Sequence, residues 1–534
     1  MQRNRLSVAA LAAFLAAVLA APGARAEDRP SEDDLFGQKP TAPPAAPAQP
    51  VAKPDQPAPP AAPGTSRMSE AEAELFGSKG SPTLRQAQGE RPGEPPEGVI
   101  PREREDWLKV GGQLYLRAQS SAYENTPPHD WTLSSPNLLD VYLDTRPNER
   151  VRGFVLGRMS YDPTLPSGGK AALSGSGSDA GGASLSGLAS TSTANPGGVL
   201  DQLWINFDVG HRAFVTAGRQ HVKWGVGKFW NPTDYLHPVK RNPLAVFDAR
   251  AGTTLVKVHV PWEKNGWNFY GVALLEDAAG DTTRTSNRVG RVGAGGRAEL
   301  VLGPAEVGLD ALVQDGHHPR YGVDVSTGLG PFDVYGEAAL RSGVDGSRWR
   351  RSGAIVGPVP ELSGWERHDP RGLTPQLVGG ATFAANYSDE DAVTLGAEYF
   401  YNDAGYTDKA VYPYLLVGLQ DPTAFQPFYL GKHYGGLYLS LPKPGRWNDT
   451  NLTLSVLGNL SDRSFVARLD HSVLVLTYLS VETYVAGHFG PKGSEFRFAL
   501  PASVAAFAAT QGGGESIPTG APLVDVGIAL RVKL

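Results

Sequence analysis

Hydrophobic and polar residues alternate with a period of two over most of the chain from Trp107 onward. Leu108, Val110, Leu114 and Leu116 are interleaved with Lys109, Gln113, Tyr115 and Arg117. The same rhythm runs through Leu203, Ile205, Phe207 and Val209, through Leu452, Leu454, Val456 and Leu460, and through Leu479, Val481, Val485 and Phe489. Period two predicts strands with one apolar and one polar face. A soluble sandwich gives the same local pattern, so strand number and connection length must separate the two.

Eighteen segments carry the pattern: 108–122, 137–146, 151–162, 200–209, 212–220, 249–260, 267–276, 289–301, 305–315, 320–328, 331–341, 376–388, 391–402, 427–441, 450–460, 464–475, 477–489 and 523–534. Many are long enough for a tilted strand to cross a bilayer. Connections after even-numbered segments are short, as at Gly210-His211, Gly303-Pro304 and Leu329-Gly330. Those after odd-numbered segments are mostly long: 163–199, 221–248, 277–288, 342–375, 403–426 and 490–522. Gly316–Pro319 and Ser461–Arg463 are the two short exceptions. An even strand count with short turns at one end and long loops at the other is the layout of a bacterial outer-membrane barrel. Closure removes sheet edges and satisfies every backbone group in lipid. The expected fold class is therefore all-β, a single transmembrane antiparallel β-barrel of about 18 strands spanning 107–534, in contact with outer-membrane lipid.

The N-terminal part reads differently. Arg3 and Arg5, the apolar run Leu6–Ala21 and the small-residue site Ala24-Arg25-Ala26 predict a secretory signal peptide over 1–26, the alternative being a single membrane anchor. Residues 27–106 hold 16 Pro and few aromatics. Such a segment buries too little apolar surface to offset its ordering entropy, so it is expected to be a disordered Pro/Ala-rich periplasmic arm. Within it Glu32–Gly37 is echoed by Glu72–Gly77, each containing Leu-Phe-Gly. Leu35, Phe36, Leu75 and Phe76 are candidate docking residues for a periplasmic protein partner; a chance duplication in a biased region is the alternative.

Composition narrows the function. The 534 residues include 64 Gly, 44 Pro and no Cys, with charged residues at 19% and a net charge of −6. The absence of Cys excludes disulfides, thiolate metal sites, thiol catalysis and a lipoprotein anchor. The weak acidic balance argues against a nucleic-acid partner. No segment has the apolar length of a membrane helix. There is no His-Glu-x-x-His pair, no complete phosphate-binding loop and no Gly-x-Ser-x-Gly elbow, and adjacent His317 and His318 face opposite sides of an extended chain. No enzyme activity, metal or cofactor is expected.

The final segment presents Val524, Val526, Ile528, Leu530, Val532 and Leu534 on one face, opposite Asp525, Arg531 and Lys533. It resembles the terminal strand that the barrel assembly machinery recognises, though it ends in Leu534 where those usually end in an aromatic residue. Trp107, Tyr161, Trp262, Trp267, Tyr399 and Tyr401 near segment ends suit interfacial girdles, with ordinary sheet packing as the alternative. Gly218-Arg219-Gln220, Trp224-Gly225 and Asn231-Pro232-Thr233-Asp234 resemble a pattern found after a barrel strand in several porin-like families, alginate-export-like porins among them. The layout is also similar to barrel components of polysaccharide-secretion systems.

One stretch carries candidate chemistry. Residues 219–257 contain seven Lys or Arg against Asp234 and Asp248, on a chain that is acidic as a whole. Arg219, Lys223, Lys228, Lys240 and Arg241 are interleaved with Trp224, Trp230 and Tyr235. A loop of this kind folded into the lumen makes a constriction: cationic rings select anions, and flat aromatics offer sugars a packing surface. The alternative is an outer loop with a solvated basic face. Loop 163–199, rich in Gly, Ser and Ala, is expected to be mobile, and Phe498–Thr510 to form a short helix in the last loop or remain an ordered loop. The expected function is a porin-like channel for hydrophilic, anionic or sugar-like solutes. Export of a secreted polysaccharide and a plugged structural or adhesive barrel are the alternatives.

Overall fold

The computed structural model describes residues 107–534, apart from 166–169, 173–191, 238–239, 247–249, 277–288, 345–347, 354–363, 369, 371, 389–390, 418–424, 446 and 503–519. The expected signal peptide, the expected arm and the two Leu-Phe-Gly motifs lie outside the described residues. Eighteen long strands form one antiparallel sheet. In chain order they are β1 (Leu108–Tyr123), β2 (Asn137–Asn148), β3 (Val151–Tyr161), β4 (Gly197–Val209), β5 (Ala213–Gln220), β6 (Thr253–Trp262), β7 (Trp267–Leu274), β8 (Gly293–Leu302), β9 (Ala305–Val313), β10 (Arg320–Leu329), β11 (Phe332–Ser342), β12 (Leu373–Asn386), β13 (Ala392–Asn402), β14 (His433–Pro442), β15 (Thr450–Asn459), β16 (Ser464–Leu476), β17 (Leu479–Phe489) and β18 (Pro522–Lys533). Each pairs with the next, and β18 pairs back onto β1 from Gln113↔Lys533 to Tyr123↔Pro522, which closes the barrel.

Burial is inverted relative to a water-soluble protein. On β18 the outward Val524, Val526, Ile528 and Leu530 are 39–51% exposed, while Asp525 and Arg531 are 3% and 5% exposed. On β1, Leu116 is exposed and Arg117 buried. A large apolar surface of this extent is stable only against lipid, and the alternation places the polar residues in the lumen. Exposed Trp107 and Trp262 mark the short-turn rim, and exposed Tyr161 and Tyr399 the long-loop rim. That distribution fits two interfacial girdles.

The short turns sit at one end and the long loops at the other, as the spacing predicts. Three strand starts differ by four residues or more. The sixth begins at Thr253, because Gly252 N–H donates instead to the carbonyl and side chain of Asp201 on β4. The fourteenth begins at His433, because Phe428 has a φ of 69° and turns its ring into a loop core. The eighth begins at Gly293, behind a 3₁₀ turn over Val289–Arg291. In loop 163–199, Lys170–Ala172 pairs with Ser192–Ala194. In the last loop Glu495–Arg497 is a 3₁₀ turn and Phe498–Leu500 is buried and non-helical; most of the expected helix lies outside the described residues. The loop after β13 contains a helix the pattern did not predict, α1 (Tyr412–Val417).

Candidate functional site

The connection 221–252 enters the barrel and packs against its inner wall. Two glutamates make the attachment. Glu337 on β11 accepts N–H bonds from Val226 at 3.0 Å, Gly227 at 3.2 Å and Thr233 at 2.7 Å, and the Thr233 hydroxyl at 2.7 Å. Glu398 on β13 accepts from the N–H groups of Lys228 at 2.6 Å, Phe229 at 3.1 Å and Trp230 at 2.8 Å, and from the Tyr335 hydroxyl at 2.7 Å. The loop has no regular structure to satisfy these amides, so wall carboxylates do it instead. Gly225 makes the turn possible: its φ is 88°, and a Cβ there would lie 2.5 Å from a Glu337 oxygen.

Apolar packing completes the seam. Val226, Phe229, Trp230 and Leu244 of the loop join Tyr335, Phe400, Tyr434 and Tyr438 of the wall in one buried cluster. The Trp230 ring lies 5.7 Å from Phe400 at 19°, and its Nε1 donates to the Phe428 carbonyl at 3.0 Å. Gly436 on β14 leaves room for Phe229, where a Cβ would be 2.6 Å from the ring. Val222, Trp224, Tyr235 and Leu236 form a second buried seam with Leu255, Val272, Leu274 and Leu312.

The basic residues fall into three settings. Lys223 is exposed and Lys228 half-buried. Arg219 binds Glu276 at 2.6 Å. Lys240 Nζ donates to the Asp234 carbonyl at 3.0 Å, while the Asp234 carboxylate meets His237 and Arg250, each at 3.0 Å. Burial works against the Asp234 charge, but His237, Arg250 and Lys240 outweigh it and hold this carboxyl well below its usual range. Burial, helped by the guanidiniums of Arg341, Arg320 and Arg250, pulls Lys240 down to about 8 despite Asp234. Arg241 is buried, and its carbonyl accepts from the Tyr429 hydroxyl at 3.3 Å.

The aromatic residues correct one expectation. Trp224, Trp230 and Tyr235 are 3%, 0% and 3% exposed. Their rings fix the loop to the wall and present no open face to a sugar. Tyr235 also donates to the Tyr321 carbonyl at 2.7 Å and lies under the Arg320 guanidinium at 5.9 Å.

Across the lumen, charge is organised differently. Val246 of the loop, with Tyr115, Arg117, Arg468, Asp470 and Tyr484 of the wall, lines an open recess. The Arg468 guanidinium sits 4.0 Å over the Tyr484 ring and binds Asp470 at 2.6 Å. Arg117 and Arg531 both stack on Tyr115, at 5.5 and 5.4 Å, and Arg531 binds Glu482 at 2.9 Å. Next along the wall, Asp140 binds Arg158, which reaches Asp201 at 3.4 Å, and Asp201 holds His221 at 2.9 Å. Sequence reasoning missed Glu337, Glu398, Arg117, Arg468 and Arg531. The available signal was a charge at an inward position with apolar or small residues on either side, as in Val-Tyr-Gly-Glu-Ala around Glu337. Among the described residues no group of three or more His, Asp or Glu is arranged to hold a metal ion.

The closed sheet of eighteen strands, the apolar outer belt and the charged interior define a porin-like outer-membrane β-barrel. No protein-family model and no curated protein matches the chain. Among solved structures it is similar to Pseudomonas putida OprB, with 9% identity, a TM-score of 0.42, and coverage of 80% of this chain and 94% of that one. It is also similar to a triple mutant of the Rhodopseudomonas blastica porin, with 11% identity, a TM-score of 0.36, and coverage of 80% and 100%. The class rests on the closed sheet and its inverted burial; the likeness adds nothing about solutes.

Proposed function

We propose that the protein is a channel for small hydrophilic solutes with a preference for anions. The observation that carries this reading is the recess between Val246 and the wall bearing Arg117 and Arg468. A barrel of eighteen strands is too wide to be filled by its own wall side chains. Loop 221–252 occupies part of that width, and the recess left beside it is lined by Arg117 and Arg468, 4% and 1% exposed and braced on tyrosine rings, with Asp470 and Glu482 beside them. Fixed cations at a narrow point favour anions because a partly desolvated anion regains there what it loses in leaving water. Lys223 and Lys228 add positive charge on the loop side, and Arg219 at the end of β5 is paired with Glu276.

The test is conductance of the refolded protein in a planar bilayer under a salt gradient. The expected result is steady conductance with a reversal potential on the anion side. Replacing Arg219, Lys223 and Lys228 together with Glu should move the reversal potential toward cation preference. An unchanged potential would remove these three from the pore lining. No conductance from a verified folded barrel would replace the channel with a plugged barrel.

A further inference from the structure

Three long loops meet above the seam just described. Glu495, in the loop after β17, accepts from the Tyr434 hydroxyl and from Asn459 Nδ2, each at 2.7 Å, and from the Phe428 amide. Burial, then Asp462, pushes Glu495 up to about 8. Tyr412, at the start of α1, lies 3.3 Å from Asn459 and belongs to a separate buried cluster with Trp365, Tyr406, Tyr414, Leu415, Phe425 and Phe498. A stack of folded loops thus rises from the lumen toward the long-loop end.

On this stack sits a two-stranded hairpin, Arg348–Arg351 paired with Trp365–His368. It is anchored by its tryptophans: Trp365 lies 6.3 Å from Tyr414, and Trp349 packs on the same cluster. Arg348 stacks on Tyr406 at 5.4 Å, and Arg351 lies 3.6 Å from Asp408. Arg350, bonded to Glu366 at 3.1 Å, and Arg351 remain 64% and 53% exposed at their side chains, and Arg367 and His368 are exposed as well. Four arginines against Glu366 and the adjoining Asp408 leave +2 on this patch of a chain whose net charge is −6.

We propose that this hairpin is an electrostatic collector that concentrates soluble anions at the outer mouth of the channel. The inference rests on the channel reading above and names how its solutes are gathered. The hairpin is anchored on the loop stack through Trp365 on Tyr414, Arg348 on Tyr406 and Arg351 beside Asp408, which fits a solute in the aqueous mouth better than a phosphate on a lipid headgroup. Exposed like charges held on a rigid base raise the local concentration of counter-ions and their rate of capture. The effect must fade with salt, since the screening length falls from about 10 Å at 0.1 M to about 3 Å at 1 M.

The test compares wild type with Arg350→Glu/Arg351→Glu/Arg367→Glu and with the corresponding triple Gln variant, each inserted from one side into a planar bilayer. In about 0.1 M KCl the Glu variant should lower the chloride-to-potassium permeability ratio by roughly threefold, with the larger fall when the dilute solution bathes the long-loop side. The Gln variant should show about half that change on a logarithmic scale, and both should match wild type in about 1 M KCl. An unchanged ratio in dilute salt overturns the collector. So does a shift that persists in concentrated salt, because it would report a rearranged lumen. A wild type without anion preference sinks the channel reading, whereas variants identical to an anion-preferring wild type sink the hairpin alone.

Discussion

The two sides of the lumen solve one problem in opposite ways. On the side of β11 and β13, the inward carboxylates Glu337 and Glu398 take main-chain N–H groups of a loop as partners, and water is excluded by Trp230, Phe229 and Tyr434. On the side of β16, β17, β18 and β1, the inward carboxylates Asp470 and Glu482 take Arg468 and Arg531, and a recess stays open. Both sides are built from inward polar positions on alternating strands. The difference lies in the neighbours. Glycines such as Gly436 let a loop approach β14, whereas Tyr115 and Tyr484 brace long cationic side chains that keep it away. An inward charge in a barrel is therefore an anchor where a backbone can reach it and a pore lining where it cannot.

The sharpest way to break this contrast is Glu398→Ala. Three buried loop amides and the Tyr335 hydroxyl lose their acceptor, and each orphaned group costs about 1–3 kcal/mol. The loop should leave the wall while the barrel stays closed. Hydrogen exchange over 221–252 should rise sharply and single-channel current should become larger and noisier; a quiet, wild-type channel would refute the anchor. Trp230→Ala should act in the same direction, removing about 3–5 kcal/mol of seam packing. If proteolysis of the loop is no faster in that variant, the ring is not what holds it.

On the open side, Arg468→Ala should leave loop exchange unchanged and reduce anion preference by roughly threefold, because the guanidinium lines the recess 4.0 Å over the Tyr484 ring. A change in loop exchange instead would show that the two sides are coupled. The smallest expected effect is a pH dependence at the loop itself. Lys240 has a folded value of about 8, below its ordinary one. A lysine depressed by docking weakens docking while it is charged, and that penalty is relieved as pH rises from about 8 toward the free value. Loop protection should therefore increase modestly between about pH 7.5 and 9.5 while anion preference declines, and Lys240→Met should flatten both trends. Equal slopes in wild type and variant would assign them elsewhere.

Much of this was readable along the chain. Eighteen strands, their sorting of long and short connections and the apolar belt all follow from local periodicity, because a strand between lipid and water must alternate. That 219–257 differs from the rest of the chain was visible as a basic, aromatic run on an acidic chain. The roles of its residues were not. Trp224, Trp230 and Tyr235 looked like open ring platforms, yet each is enclosed, since an aromatic side chain in a loop that folds inward gains more by packing on the wall than by facing water.

Sequence by itself determined the barrel, its strand number and which end carries the loops, since these depend on alternation and on turn length, both local. Only the tertiary structure decided which inward charges serve as anchors and which border the recess. That choice depends on what stands across the lumen: Glu337 lies 111 residues from the Val226 amide it binds, and Tyr115 lies 367 residues from the Glu482 carboxylate that accepts from it. Contacts at such separations are set by closure of the sheet, which no local pattern encodes.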